Sequence, residues 1–261
     1  MANASAARAV SWGMNDPVAP LEDRPLVFVH IMKTAGNTLY GLLRSIYPPK
    51  RLLKLHMDPA QLTLGARTPA RVLYGHIDMS VRPFLRVPDE RYFTLVREPV
   101  ERVVSLYYYL RTRPQDEGYE AAARYPLDEW VERSGFAEAD NGMVRRLSGA
   151  MHAVPFGGCT REMLDRAKAT ISRMGMVGLS ECFDASYVLM ATLFGWPLRS
   201  YVSRNVNSDR PQNGASEPLR RAILRCNPLD AELYDFCVER FRRLLAQHDI
   251  AAKRELLTRA A

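Results

Sequence analysis

The chain has 261 residues, 47% hydrophobic and 25% charged, with 36 Lys+Arg against 29 Asp+Glu for a formal balance of +7. This is an ordinary globular composition, long enough for a sizeable core, and it excludes a disordered or collagen-like chain. No run approaches 18 apolar residues and residues 1–17 lack a basic-then-apolar order, so neither a membrane span nor a secretory signal is expected. The cysteines Cys159, Cys182, Cys226 and Cys237 show no C-x-x-C spacing. They read as reduced thiols of a cytoplasmic protein, with neither a disulfide frame nor a metal site. The charge is unevenly spread: residues 1–115 hold 16 basic and 9 acidic side chains, and residues 116–261 hold 20 of each. An anionic ligand would meet the N-terminal part first, although on charge alone a solvated face is an equal reading.

In chain order, the apolar run at residues 26–29 reads as a buried strand, followed by a Gly-containing loop over 31–37. Leu39, Leu42, Leu43 and Ile46 then recur at helical spacing over residues 38–47, and Pro48-Pro49 stops the helix. Residues 71–74 and 92–96 are further short strands, and Pro99 opens a helix with Val100, Val103, Val104 and Tyr107 on one face. Residues 116–174 read mostly as helices, with Asp140 or Asn141 and Thr160 as caps. A fourth strand at 176–179 precedes a helix over 183–194. The polar segment 205–216 reads as a long loop and candidate lid, with Arg204 and Arg210 placed to close over a ligand. Asn227-Pro228 caps a last helix whose stripe of Leu229, Leu233, Phe236, Cys237, Phe241, Leu244 and Leu245 faces the core. Alternating strands and helices predict one α/β domain with a central, mainly parallel sheet flanked by helices.

Two segments carry chemistry. The first is H-I-M-K-T-A-G-N-T at residues 30–38, which joins the first strand to the first helix. Ligands of open α/β sheets sit beyond the carboxyl ends of strands. Backbone N–H groups at a helix start favour anions, and Gly36 permits close approach, while Lys33 adds a compact positive charge and Thr34, Asn37 and Thr38 short polar groups. It is neither a Walker A loop nor a dinucleotide fingerprint, because Lys33 precedes the single glycine. A tight turn with a solvated lysine is the alternative. The second segment begins at Arg97, at a strand end, with Ser105 eight residues on in the helix. Arg97 and Ser105 can grip a second phosphate; the alternative pairs Arg97 with Glu98 or Glu101 and gives the tyrosines to the core.

Together, K-T-x-G-x-T at 33–38 and R-[ED]-P-x-x-R-x-x-S-x-Y-Y at 97–108 resemble sulfotransferases that use 3′-phosphoadenosine 5′-phosphosulfate (PAPS). The likeness is greatest to the carbohydrate branch, which includes the heparan sulfate 2-O-sulfotransferases. It extends more weakly through 140–149, 177–181 and the last helix, roughly residues 25–245. Ala35 and Asn37 stand where that family more commonly has Gly and Thr, and Met32 where Pro is usual. The resemblance implies a P-loop-like fold, PAPS as donor and PAP as product, and no metal. It assigns Lys33, Thr34, Ala35, Gly36, Asn37 and Thr38 to the 5′-phosphosulfate and Arg97 and Ser105 to the 3′-phosphate. It divides the chain into an N-terminal extension at 1–24, a sulfotransferase domain at 25–247 and a tail at 248–261.

Sulfuryl transfer to a hydroxyl acceptor, here a glycan, needs positioning, charge stabilisation and a base. His76 follows a strand and matches the Gly-His pair of the 2-O-sulfotransferases, whose histidine is the base; His30 and Glu98 are the reserves. Lys33 stabilises charge on the departing phosphate oxygen. Two rivals remain. A P-loop-type nucleotide kinase would use Asp78 as a metal-binding carboxylate. A polyanion-binding module would use the basic excess, although there is no familiar nucleic-acid motif. Arg82, Arg86, Arg111 and Arg113 either receive an acidic sugar polymer or are solvated surface.

Overall fold

The computed structural model describes residues 24–58, 61–63, 68–201, 214–248 and 250. Arg204, Arg210 and most of the candidate lid, together with nearly all of the N-terminal extension and the tail, lie outside the described residues. Five parallel strands form one sheet: β1 (Leu26–Val29), β2 (Leu52–Lys54), β3 (Val72–Gly75), β4 (Tyr92–Val96) and β5 (Met176–Leu179), in the order β2-β3-β1-β4-β5. β1, β4 and β5 are buried along their whole length. A strand covered on both faces needs a continuous apolar run, which is why these three are legible in the sequence. The expected α/β arrangement is borne out, but with five strands instead of four. β2 was missed because it is a three-residue edge strand, half exposed and lacking a periodic signal.

The order places β1 at a reversal of the winding. From β1 the chain moves to β2 and β3 on one side, then crosses to β4 and β5 on the other. Parallel pairing of Val29 with both Gly75 and Thr94, and of Val96 with Leu179, brings the carboxyl ends of β3, β1, β4 and β5 to one edge. A crevice opens outside the strand ends at such a switch point.

The helices are α1 (Gly36–Ile46), α2 (Pro99–Leu110), α3 (Tyr119–Arg124), α4 (Leu127–Arg133), α5 (Gly142–Ser148), α6 (Arg161–Arg173), α7 (Phe183–Phe194), α8 (Glu217–Cys226) and α9 (Pro228–Gln247), with a single helical turn at Arg82–Leu85. α2 begins with Pro99, and the Glu98 carboxylate accepts from Glu101 N at 2.8 Å as its cap. Thr160 caps α6 as expected, accepting from Met163 N at 3.3 Å. The α9 stripe is in the core or packed against it, as its spacing predicts. A second apolar cluster around Trp130 joins α2, α4 and α8.

The caps of α5 and α9 differ from the expectation, because the two helices cap each other. Asn141 and Asn227 stand at the two N-cap positions, yet neither side chain caps its own helix. The Asn141 Oδ1 instead accepts from Leu229 N and Asp230 N at the start of α9, both at 3.0 Å. In return, Asp230 accepts from Val144 N at 2.8 Å and Met143 N at 3.2 Å in the first turn of α5. Asp230 and Arg102 of α2 are both fully buried and bonded at 3.1 Å. Removing one partner of such a pair leaves an uncompensated charge, and uncapping a helix adds to that loss. Asp230→Ala is therefore expected to lower the unfolding free energy by about 4 kcal/mol in urea denaturation, and Asp230→Asn, which keeps an acceptor, by less.

Candidate functional site

A cavity of about 230 Å³ opens at the switch point. Four strand ends reach it: His76 after β3, the 30–38 loop after β1, Arg97 after β4 and Ser180 after β5. Ser105 and Tyr109 of α2, with Phe183 and Tyr201, close the far wall.

The loop backbone is shaped for an anion. Lys33 and Ala35 take positive φ, 67° and 64°, while Thr34 between them does not. Alternating handedness turns successive N–H groups toward one side and makes an anion-binding concavity. A left-handed conformation costs an L-residue roughly 1–2 kcal/mol, so the loop holds strain at Ala35, where the resembling family more commonly has glycine. Gly36 is required for another reason: a Cβ there would lie 1.8 Å from His30 Nε2. The His30 ring therefore rests directly against the helix start.

The cavity is strongly cationic. Arg97 donates to the Lys33 carbonyl at 3.2 Å and approaches Glu101 at 3.5 Å, as the ion-pair reading expects, and it also lines the cavity. Lys33 Nζ lies 4.2 Å from the centroid of the Tyr109 ring, and Arg113 lies over the same ring at 5.2 Å. Burial, and after it the charges of Arg97 and Arg113, pushes the Lys33 ammonium down to about 8. Cations held this close raise one another's energy, and an anion between them lowers it.

On the other wall, the His30 and His76 rings stack with centroids 4.2 Å apart, and Phe28 stacks under His30 at 5.3 Å. His76 Nδ1 lies 3.1 Å from the His30 carbonyl oxygen. A carbonyl only accepts, so the proton is on Nδ1 and the lone pair on Nε2. Burial pushes both imidazoles below the ordinary value, His30 furthest, and the Arg146 charge adds to it in both. His76 is thus neutral at pH 7.

Lys33, Ala35, Gly36, Asn37, Thr38, His76, Arg97 and Ser105 come together on this one cavity. Thr34 does not bring its side chain there: it is fully buried and its hydroxyl donates to the Ile31 carbonyl at 2.9 Å. Glu98 is occupied in capping α2. Asp78, which the kinase reading needs, is 5% exposed and accepts from Ser80 N at 2.9 Å and Met151 N at 3.2 Å. Its carboxylate holds a turn and does not line the cavity. Of the four flanking arginines, Arg82 is paired with Asp89 at 2.6 Å and Arg111 donates to the Tyr107 hydroxyl at 2.9 Å. Arg113 is the one whose charge acts on Lys33. Sequence reasoning missed Tyr109 and Ser180. Tyr109 sits four residues after Ser105, on the same helix face, and Ser180 follows a strand end; either signal suffices. Phe183 and Tyr201 carry no comparable signal.

No family model matches the chain. In sequence it is similar to Galactose-3-O-sulfotransferase 3 of Mus musculus, 25% identical over 266 residues, covering 87% of this chain and 60% of that protein. The Homo sapiens protein of the same name is 26% identical over 264 residues, covering 89% and 59%. The chain thus spans about three fifths of the length of the curated relatives it matches. These relatives bear out the resemblance to PAPS-dependent carbohydrate sulfotransferases. Among solved structures, it is similar to mouse sulfotransferase SULT7A1 complexed with PAP, at TM-score 0.48 and 11% identity over 92% of this chain and 90% of that one.

The expected cytoplasmic location is overturned: the galactose-3-O-sulfotransferase relatives are Golgi-lumenal, membrane-anchored enzymes. The expectation rested on the apparent lack of a leader and on cysteine spacing. Neither bears on a chain that covers part of its relatives. Among the described residues no helix is long and apolar enough to cross a membrane, and no cluster of His, Cys, Asp and Glu is arranged to hold a metal ion.

The depressed Lys33 is directly measurable. Trace acetylation with peptide mapping is expected to give a reactivity midpoint near pH 8, against about 10.4 for an ordinary lysine. Arg97→Gln, which removes a like charge, raises that midpoint, and so does inorganic phosphate bound in the cavity.

Proposed function

We propose that this chain, kin by sequence to the galactose-3-O-sulfotransferases, is a PAPS-dependent sulfotransferase acting on a glycan hydroxyl, with its sulfotransferase domain over residues 25–247. The observation that carries the reading is the convergence of four strand ends on one cavity, with cations on one wall and a neutral histidine pair on the other. PAPS, when bound, supplies the sulfuryl group. The residues present suit it. The concave loop backbone at 33–36 faces the cavity beside Lys33, and Arg97 with Ser105 offers a second anion site on the next strand end and its helix.

Each residue then has a defined task. The loop N–H groups from Lys33 to Thr38 hold the 5′ end, and Arg97 and the Ser105 hydroxyl hold the 3′-phosphate. Lys33, desolvated and relieved of repulsion by an anion, stabilises negative charge on the oxygen from which the sulfuryl group departs. A desolvated cation does this more effectively than a hydrated one. Nε2 of His76 accepts the proton of the acceptor hydroxyl, and the His30 carbonyl steadies the Nδ1–H as the ring becomes cationic. Tyr109, under Lys33, gives that ammonium a resting place through its ring face.

His76→Ala and Lys33→Ala are each expected to reduce transfer from labelled PAPS by at least about 100-fold, with EDTA without effect. Near-normal turnover of His76→Ala would remove it as the base. PAP, and not ATP or NAD, is expected to raise the thermal midpoint; its failure to do so would overturn the reading. The base must be neutral and burial lowers its pKa, so activity is expected to hold from pH 7 down to the ordinary imidazole value of about 6.5 and to fall only at lower pH.

A further inference from the structure

Behind the stacked histidines lies a chain of buried charges with no counterpart in the reaction just described. Arg146 of α5 is 5% exposed, donates from Nη1 to the Ile77 carbonyl at 3.2 Å, and pairs through Nη2 with Glu138. Glu138, 3% exposed, lies between two guanidinium groups: its other oxygen is 3.8 Å from Arg102 Nη1. Arg102 donates to the Glu138 backbone carbonyl at 3.0 Å and to Asp230 at 3.1 Å, and it precedes Ser105 by three residues on α2.

We propose that the Arg146–Glu138 pair positions and electrostatically poises His76, and that Arg102 ties this pair to the helix carrying Ser105. The proposal rests on the reading of His76 as the base. Ile77 is fully buried, and residues 76–78 are held on both sides: Arg146 grips the Ile77 carbonyl, and Met151 N and Ser80 N bind the Asp78 carboxylate. A displacement of Arg146 therefore moves the backbone next to His76. The pair also acts through space, with opposite signs. Arg146 disfavours a charged His76 and Glu138 favours it, while Lys54 from β2 adds to Arg146; His30 supplies its carbonyl to Nδ1 and a stacked ring that is itself kept neutral. Burying these ions costs several kcal/mol each in desolvation, and an apolar pair of similar volume would serve packing as well. Burial already lowers His76; an arginine set off by a glutamate adds what apolar packing cannot, a grip on the Ile77 carbonyl together with two opposed charges that set how readily the neutral base takes a proton.

The test is an NMR titration of His76 in the full chain, its ring signal assigned by loss in His76→Asn. Arg146→Met is expected to raise the midpoint by about one unit and Glu138→Gln to lower it, while Arg146→Lys keeps the wild-type value. Melting temperatures are recorded alongside. A merely structural role would lower melting without moving the two midpoints in opposite directions. If Arg146→Met does not fold, Glu138→Gln decides: a midpoint unmoved or raised overturns the proposal. Wild-type transfer from PAPS is assayed separately. Its absence would remove the sulfotransferase reading, whereas unmoved midpoints would remove the poising role whatever the activity.

Discussion

The carboxylate of Asp230 is fully buried, and donors from two other helices converge on it: the Arg102 guanidinium of α2 and the first-turn N–H groups of Met143 and Val144 in α5. An anion at that depth is tolerated only while those donors stay in place. Its position thus fixes α2, α5 and α9 relative to one another, and Asn141 closes the arrangement by capping α9 in exchange. Two of these helices then reach the cavity region. α2 presents Ser105 and Tyr109, and α5 presents Arg146 to the backbone beside His76. One buried network thus holds both α2, which lines the cavity, and α5, which grips the backbone beside His76.

The cationic wall is arranged against its own electrostatics. Lys33, Arg97 and Arg113 repel one another, and Lys33 loses proton affinity as a result. The loop adds strain by holding Lys33 and Ala35 in left-handed conformations. A fold retains unfavourable charge and backbone conformation where something else over-determines them, and such sites are those that take a ligand. A polyanionic donor, as proposed, suits this wall: one negative group relieves Lys33 and a second can meet Arg97 and Ser105.

The histidine wall is arranged by exclusion of water. Phe28, His30 and His76 stack along one face at the carboxyl edge of the sheet. Two imidazoles in contact cannot both be charged, and His30, the deeper, is held furthest from charge. Its ring fits only because residue 36 has no side chain. Gly36 thereby serves the anion loop and the histidine pair together, and the tautomer of His76 follows from the backbone carbonyl His30 places at Nδ1.

The sequence by itself determined the fold class, the four strands whose ends line the switch point, and, Thr34 apart, the candidate residues that the fold gathers on one cavity. These depend on local signals: continuous apolar runs, a glycine in a βα turn, and an Arg and a Ser at fixed spacing on one strand end and its helix. It did not reveal β2, which is too short and exposed to carry a period, nor the inward turn of Thr34. The caps of α5 and α9 were assigned to the right positions and the wrong helices, because the choice between one's own N–H groups and those of a helix some ninety residues away is made by packing. Tertiary structure alone decided that His30 and His76 stack, that Asp78 is consumed by a turn, and that Arg146 and Glu138 lie behind His76. These residues are distant in the chain, and only the parallel register of β1 and β3, with α5 locked by Asp230, brings them within range of one another's charge.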